Sequence, residues 1–165
     1  MSADEVELAA VSEPGAPTYH TPADLHRDRY AAMVRLAGLL TGSTPTAEEV
    51  VQDAFVKVIE RWDRIEHPSA YLRAAVVNGC AGHRRHREVV RRHTTPPVLT
   101  IVDAEGFVLR DAIHRLPTRQ RAVLVLRFYE DLPEAEIASL LHCRVGTVKS
   151  ALHRGLAQLR RVVEP

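Results

Sequence analysis

Two separate stretches of the chain concentrate basic side chains and could bind a polyanion. Residues 83–93 contain five arginines and a single acid, and residues 142–163 contain five lysines and arginines and no acid. Guanidinium and ammonium groups donate hydrogen bonds to phosphate oxygens, and a cluster of them is typical of nucleic-acid binding. The totals of 22 basic and 21 acidic residues hide this pattern, because the net charge is only +1. A solvated helix face has the same composition, so charge alone leaves both interpretations open.

Acidic residues are concentrated in two other parts of the chain. Residues 1–24 contain five acids and no Lys or Arg, and residues 48–66 contain six acids against three bases. An acidic helix face is suited to a basic protein partner, and a solvated surface is the alternative. The charge distribution therefore predicts two contacts with polyanions and one contact with a basic partner.

No group of residues supports catalysis or a bound metal. Among nine histidines, His83 and His86 have no third ligand nearby and lie among arginines that would repel a cation. Cys80 and Cys143 are far apart in the sequence, which predicts neither a disulfide framework nor a zinc site. Glycine-rich phosphate loops and the G-x-S-x-G nucleophile motif are absent from the sequence. We therefore expect no enzymatic activity, no cofactor and no metal.

Length and composition indicate a globular protein of one ordinary domain or two small ones. The 165 residues are 45% apolar and 26% charged, which is the balance of a soluble fold. Apolar runs do not exceed five residues, and the acidic N-terminal stretch is the reverse of a secretory signal. These features predict a cytoplasmic protein that does not contact the membrane.

The helical pattern predicts an all-α fold with two small helical domains joined by a flexible linker. Residues 1–23 lack periodicity and are predicted to be a disordered acidic arm. Residues 24–88 are predicted to form a three-helix bundle, with helices over 25–40, from a capping box at Thr46–Glu49 to about Trp62, and from Pro68 onward. Residues 89–103 contain Pro96 and Pro97 and form the predicted linker.

The second predicted domain, residues 104–165, contains four helical segments at about 104–116, 117–129, 134–141 and 145–163. The last two, joined by a short turn, have the layout of a helix-turn-helix, although a plain helical bundle has the same pattern. The second helix of such a motif enters the major groove of DNA, so its outward residues make the contacts. With Val145, Val148 and Leu152 predicted to face inward, the outward residues are Thr147, Lys149, Ser150, His153 and Arg154.

Both halves of the chain resemble the extracytoplasmic-function (ECF) sigma factors of the sigma-70 family. Leu116 to Asp131, Glu134-Ala-Glu-Ile-Ala138 and Val145-Gly-Thr-Val-Lys-Ser150 are similar to region 4 of that family. The segments that are similar to region 2 are Ala47-Glu-Glu-Val-Val-Gln-Asp-Ala-Phe55, Ala70-Tyr-Leu-Arg73, and Val77-Asn78 with the arginines that follow. The pattern from Pro68 to Arg73 and Val77-Asn78, with the arginine-rich end of the same helix, looks most like the small actinobacterial members of the family.

The resemblance implies an alternative sigma factor that binds core RNA polymerase and directs promoter-specific transcription initiation. It would recognise −35 and −10 promoter elements and aid promoter opening. The implied partners are the clamp helices of the largest polymerase subunit, the flap of the second-largest subunit and promoter DNA. Whether an anti-sigma factor also binds is left open by the sequence. A stand-alone helix-turn-helix regulator is the alternative, but it would have no evident use for the acidic second helix and the arginine-rich third helix.

Three sets of functional residues follow from the resemblance. The set for polymerase binding is Glu48, Glu49, Gln52, Asp53 and Val56. The set for the −10 element is Tyr71, Arg73, Asn78, Arg84, Arg85 and Arg87. The set for the −35 element is Arg144, Thr147, Lys149, Ser150, His153 and Arg154.

Four residues depart from the family pattern in the helix-turn-helix. Pro133 stands where Ser often begins the first helix of the pair, and it fits as a first-turn residue. Arg144 stands where Ser usually serves as the N-cap of the second helix, and it would add a phosphate contact instead. His142 stands where Gly is usual, at a turn position that favours positive φ. Ala151 replaces a common Arg, and this change predicts that one DNA contact is missing.

Overall fold

The described part of the chain is entirely helical apart from its turns. A computed structural model describes residues 17–90 and 104–163, with the side chains of 17–83 and 109–161. It has no strand in these ranges, which confirms the all-α prediction. The helices are α1 (Pro22–Thr41), α2 (Thr44–Glu60), α3 (Pro68–Val90), α4 (Ala104–Arg115), α5 (Thr118–Phe128), α6 (Glu134–Leu140) and α7 (Val145–Val163). The predicted linker falls largely on residues 91–103, which lie outside the described part.

Helix α1 begins earlier than the sequence pattern predicts. The Thr21 side chain accepts a hydrogen bond from the Asp24 amide, and the Asp24 carboxylate accepts one from the Thr21 amide. This reciprocal cap, with Pro22 in the first turn, satisfies free amides at the helix start. The Tyr19 hydroxyl donates to Asp28 on the same helix. Residues 22 and 23 therefore do not belong to the predicted arm, and residues 1–16 lie outside the described part.

Helix α2 also starts before its predicted cap. Ser43, not Thr46, is the N-cap, and its hydroxyl accepts from the Thr46 amide at 3.4 Å. The predicted capping box at Thr46–Glu49 was wrong because Pro45 fits the first turn of a helix and does not exclude one. The helix ends at Glu60 and is followed by a short 3-10 helix, Trp62–Arg64.

Helices α1, α2 and α3 pack as a three-helix unit around apolar side chains such as Leu36, Val51 and Val76. Helix α3 approaches α2 closely at Gly79, where a Cβ would lie 2.8 Å from Val50 Cγ1. This close approach sets how α3 lies against the acidic helix.

Helices α6 and α7 form the predicted helix-turn-helix, packed against α5. His142 has φ 49°, as expected for its turn position. Val148 and Ala151 are buried. Val145 was predicted to face inward with Val148, but it is 39% exposed and the prediction for this residue was wrong. Val145 is the first residue of α7, so the preceding turn covers only part of it.

The two halves of the chain pack against each other in this structure. Helix α1 contacts α4 and α5, and α3 contacts α6. Most of the buried apolar residues of both halves belong to one contiguous cluster. In the ranges 17–90 and 104–163, no helix is long and apolar enough to cross a membrane.

Candidate nucleic-acid and partner interfaces

The five residues predicted to bind polymerase lie on the exposed surface of α2. Glu48, Glu49, Gln52, Asp53 and Val56 are all exposed, and Val56 retains 52% of its accessible surface. The surface continues to Ile59, which is 59% exposed and which the sequence analysis missed. Its spacing of three from Val56 and seven from Gln52 places it on the same helix face, a signal that the sequence did contain. An exposed apolar residue on an acidic face is suited to bind a partner surface that has both basic and apolar side chains.

A groove runs beside this face, between α2 and α3. Glu49, Asp53 and Val56 line it from α2, and Gly79 and His83 line it from α3. His83 Nε2 lies 3.3 Å from Glu49 Oε2. The carboxylate is 63% exposed, so the contact leaves it accessible to a basic partner.

The basic face of α7 is open to solvent. Lys149, Ser150, His153 and Arg154 are exposed, as is Arg144 in the turn, whereas Thr147 is half-buried. Lys149 Nζ lies 3.9 Å from Glu134 Oε2, an exposed and weak pair that a DNA ligand can displace.

The hydroxyl of Ser150 and the guanidinium of Arg154 are directed partly back to their own helix. Ser150 Oγ donates to the Gly146 carbonyl at 2.9 Å, and Arg154 Nε donates to the Ser150 carbonyl at 3.3 Å. Ala151 is only 6% exposed, and the loss of a DNA contact through its substitution for Arg stays a prediction. The position faces the protein interior because it lies three residues after buried Val148.

Among the described residues that were predicted to contact the −10 element, Arg73 lies apart from Tyr71 and Asn78. Tyr71 and Asn78 are half-buried and seven residues apart on one face of α3, and Arg85 is seven residues further along the helix. The side chains of Arg84, Arg85 and Arg87 lie outside the described part. Arg73 is only 5% exposed, so in this structure it is not available to DNA. It follows Tyr71 by two residues, about 200° around the helix, and thus faces another way.

Arg73 is paired with two carboxylates of the second half of the chain. Its Nη2 donates to Glu136 Oε1 at 3.1 Å, and its Nη1 donates to Glu130 Oε2 at 3.5 Å. Glu130 Oε2 also lies 3.8 Å from Arg29 Nη2 on α1. The side chains of Arg73, Glu130 and Glu136 are 6%, 7% and 12% exposed, so these charges are largely withdrawn from water.

Arg121 makes a second polar connection between the halves. Its guanidinium donates to the carbonyls of Leu40, at the end of α1, and of His114, at the end of α4, at 3.1 and 2.9 Å. The last turn of α1 contains no basic residue, so Arg121 supplies the positive charge that a helix C-terminus favours. The sequence contains nothing that distinguishes Arg121 from its neighbours Arg119 and Arg127.

Burial shifts the pKa of two further side chains, His114 and Cys80. Burial, reinforced by Arg121 and Arg110, lowers the pKa of His114 below its ordinary value. Burial raises the pKa of the Cys80 thiol to about 12, so this thiol is unreactive at neutral pH. Within the described ranges, no three His, Cys, Asp or Glu side chains are grouped to hold a metal ion.

An exposed basic helix-turn-helix beside a helical unit with an acidic face is typical of a DNA-binding protein of the transcription machinery. Family comparison matches residues 25–89 to sigma-70 region 2 and residues 107–159 to sigma-70, region 4. The chain is 35% identical over 147 residues to the RNA polymerase sigma-E factor of Streptomyces avermitilis, covering 84% of this chain and 82% of that protein. It is 26% identical over 162 residues to the ECF RNA polymerase sigma factor SigW of Bacillus subtilis, covering 84% of each.

Solved structures show the same fold. The sigma factor RpoE of Bartonella quintana, crystallised with the anti-sigma factor NepR, matches with a TM-score of 0.71 at 21% identity, over 86% of this chain and 97% of that one. The Mycobacterium tuberculosis ECF sigma factor SigJ matches with a TM-score of 0.60 at 25% identity, over 85% and 53% of the two chains. The chain thus belongs to the extracytoplasmic-function sigma factors, and its predicted function as an alternative sigma factor in transcription initiation is confirmed. Sigma factors are initiation factors and not enzymes.

Proposed function

We propose that this sigma factor binds core polymerase through the acidic face of α2, reads the −35 element with α7 and helps to open the −10 element with α3. The observation that carries the proposal is the exposure of all five predicted polymerase-binding residues on α2, within the segment that matches region 2. The first domain would then be residues 24–88 and the second residues 104–165, with 89–103 as the linker between them.

The polymerase contact would join the clamp helices of the largest subunit to α2. Glu49 and Asp53 offer exposed carboxylates to basic side chains, and Val56 and Ile59 offer apolar surface beside them. Carboxylates at the edge of an interface speed association, whereas the apolar residues contribute contact area that salt does not screen.

The −35 contact would place the N-terminal half of α7 in the major groove. Lys149 and Arg154 are the residues that can donate to base edges, and Arg144 in the turn is suited to a phosphate. Ser150 and His153 are exposed on the same helix and would complete the contact.

The −10 contact would use the face of α3 that carries Tyr71 and Asn78. An aromatic ring and an amide can receive an unstacked base, and the arginines at positions 84, 85 and 87 can bind the backbone of the displaced strand. Arg73 would join this set only after the second domain moves away from α3.

Two further partners are proposed, one from exposed apolar side chains and one from a relative of known structure. Leu109 and Phe128, 46% and 63% exposed on the second domain, are candidates for the flap of the second-largest polymerase subunit. The RpoE relative was crystallised with an anti-sigma factor, and a similar partner is proposed here. Since a sigma factor acts where core polymerase is found, we assign the chain to the cytoplasm.

The test is transcription reconstituted with purified core polymerase. The chain should direct initiation from a promoter with −35 and −10 elements, and alone it should bind duplex DNA weakly and with strong salt dependence. Asn78→Ala should slow strand opening, followed with permanganate, more than it weakens duplex binding by the holoenzyme. Tight operator binding by the chain alone, without transcription in the presence of core polymerase, would instead support the stand-alone regulator.

A further inference from the structure

One apolar side chain lies at the end of α7 that is proposed to enter the major groove. Val145 is the first residue of this helix and is exposed, although the helix pattern predicts that it faces inward with Val148. Single exposed apolar residues are common on protein surfaces, so exposure alone assigns no role to Val145. Its position does, because the N-terminal residues of a recognition helix are those that contact base edges.

Val145 shares a side of α7 with two of the residues proposed to bind the −35 element. Lys149 and His153 follow it at intervals of four, and both are exposed, so Val145 forms the N-terminal end of a row along the helix. Four residues rise about 6 Å along a helix, which is less than two base-pair steps of about 3.4 Å. A duplex whose bases Lys149 contacts must therefore also lie close to Val145.

The space beside Val145 allows DNA to approach closely. Gly146 is exposed, and apart from its chain neighbours and its own helix backbone, a Cβ at this position would meet no described atom within 4 Å. The hydroxyl of Ser150, one turn further on, donates back to the Gly146 carbonyl at 2.9 Å and does not extend from the helix. The backbone at the start of α7 can thus come near a base pair, as a side chain as short as valine requires.

Valine has no hydrogen-bonding group, so it can favour only one feature of the major groove. All base pairs present donors and acceptors there, but only thymine also presents a methyl group, at C5. Contact between this methyl group and an apolar side chain removes both from water. Against the polar edge of another base, valine would displace water without replacing its hydrogen bonds. An apolar residue at this position therefore favours thymine.

We propose that Val145 is a specificity-determining residue for the −35 element, and that it selects a thymine through contact of its methyl groups with the thymine C5 methyl. This inference rests on the proposed placement of α7 in the major groove. It adds an apolar contact to the polar contacts of Lys149 and Arg154. One valine can contact only one or two neighbouring base pairs, so at most two thymines of the element depend on it.

The experiment removes the methyl group from the DNA as well as its partner from the protein. A preferred −35 element is selected with wild-type holoenzyme from a randomised promoter library. Each thymine of that element, on either strand, is then replaced in turn by deoxyuridine, which lacks only the C5 methyl. Affinity for the duplex promoter is measured with holoenzyme containing the wild type, Val145→Ser or Val145→Ile. Ser removes the apolar surface, whereas Ile keeps it.

Wild-type holoenzyme should bind about fourfold more weakly when deoxyuridine replaces the thymine that Val145 contacts, which is the weight of one methyl-sized group. Val145→Ser should bind the unmodified promoter more weakly by about the same factor. It should show no further loss with deoxyuridine at that position, because the partner of the methyl group is already absent. Val145→Ile should keep the fourfold loss.

The remaining thymines of the element are the matched control. Deoxyuridine at those positions should change the affinity of wild type and of Val145→Ser by the same factor. Circular dichroism checks that each variant keeps the fold. If Val145→Ser lowers the melting temperature, Val145→Ala gives the same comparison, since it shortens the side chain without adding a polar group.

A selected element without thymine, or one in which no deoxyuridine weakens wild-type binding, overturns the inference. Losses of equal size in wild type and Val145→Ser at every thymine also overturn it, since another residue would then contact the methyl group. Lys149→Ala is measured in parallel across −35 variants. If neither Lys149→Ala nor deoxyuridine has an effect, the proposed placement of α7 fails. An effect of Lys149→Ala alone leaves that placement intact and removes only the role of Val145.

Discussion

Arg73 and Glu136 are 63 positions apart in the chain, and their side chains meet at 3.1 Å across the interface between the two halves. Both are more than four-fifths buried, so the pair is not a surface salt bridge of negligible weight. Removing one member of such a pair typically costs about 3–5 kcal/mol, because the other charge is left buried without compensation. The contact therefore couples the position of the second domain to a residue of the first domain's predicted DNA-binding set.

The acidic face of α2 can be tested by charge reversal. Glu49→Lys/Asp53→Lys should lower affinity for core polymerase roughly tenfold, about 1.4 kcal/mol, mainly through a slower and less salt-dependent association. Surface plasmon resonance at two salt concentrations measures the affinity and the association rate. The control is Asp63→Lys/Glu66→Lys, which reverses two exposed acids outside α2 and should have little effect. Equal losses in both variants would contradict a local contact.

Ile59 is predicted to be an apolar part of the same contact. Ile59→Ala should weaken core binding by about 1 kcal/mol, since the side chain would be buried only in the complex. Unlike the charge reversal, this loss should not depend on salt. The thermal stability of the free chain should be unchanged because Ile59 is already exposed, and a lowered melting temperature would argue that the residue is structural.

The two basic parts of α7 should respond differently to truncation. Lys149→Ala or Arg154→Ala should cost about 1–3 kcal/mol at the preferred −35 sequence and relax base preference. Arg160→Ala and Arg161→Ala, further along the helix, should weaken binding evenly across sequences. A library of −35 variants assayed with the holoenzyme separates the two effects. The same loss pattern for all four residues would show that the N-terminal half of α7 does not read bases.

Gly79 is predicted to be required for the packing of α3 on α2. A Cβ at this position would lie 2.8 Å from Val50 Cγ1, on a β-branched side chain that is stiff at χ1. Gly79→Ala should therefore lower the free energy of unfolding by about 1–3 kcal/mol, partly offset by the higher helix propensity of Ala. Gly82→Ala, on the same helix with open space around it, should instead be neutral or stabilising. Urea unfolding compares the two, and equal effects would refute the close-approach argument.

His114 should make stability depend on pH below neutrality. Burial lowers the pKa of His114 in the folded chain, so between that value and the ordinary pKa of about 6.5 the unfolded chain binds the proton more strongly. Its contribution to stability is therefore present above about pH 6.5 and is lost as the pH falls. His114→Gln, which keeps a polar neutral side chain, should flatten the dependence between pH 7 and 5. An unchanged slope in urea unfolding at each pH would mean that other groups determine it.

Local signals predicted most of the helices, but not where two of them begin. Pro68 marked the start of α3, and the spacing of Val148, Leu152 and Leu156 marked α7. The starts of α1 and α2 were misplaced because Pro22 and Pro45 are compatible with a first helical turn, and each cap depends on a hydrogen bond that a pattern does not show. The exposed residues of α2 were predictable because helix periodicity alone separates them from buried Val51 and Phe55.

Sequence determined the all-α class and the family, and it predicted candidate residues for binding DNA and polymerase, because these depend on residue type and on spacing along the helices. Only the tertiary structure decided which of those residues are covered. Arg73 lies in the same family motif as Tyr71, yet it is buried against Glu130 and Glu136 whereas Tyr71 is half-buried. Arg121 reaches Leu40 across 81 positions. Contacts of this kind depend on how the two helical units pack, and helical periodicity carries no information about that geometry.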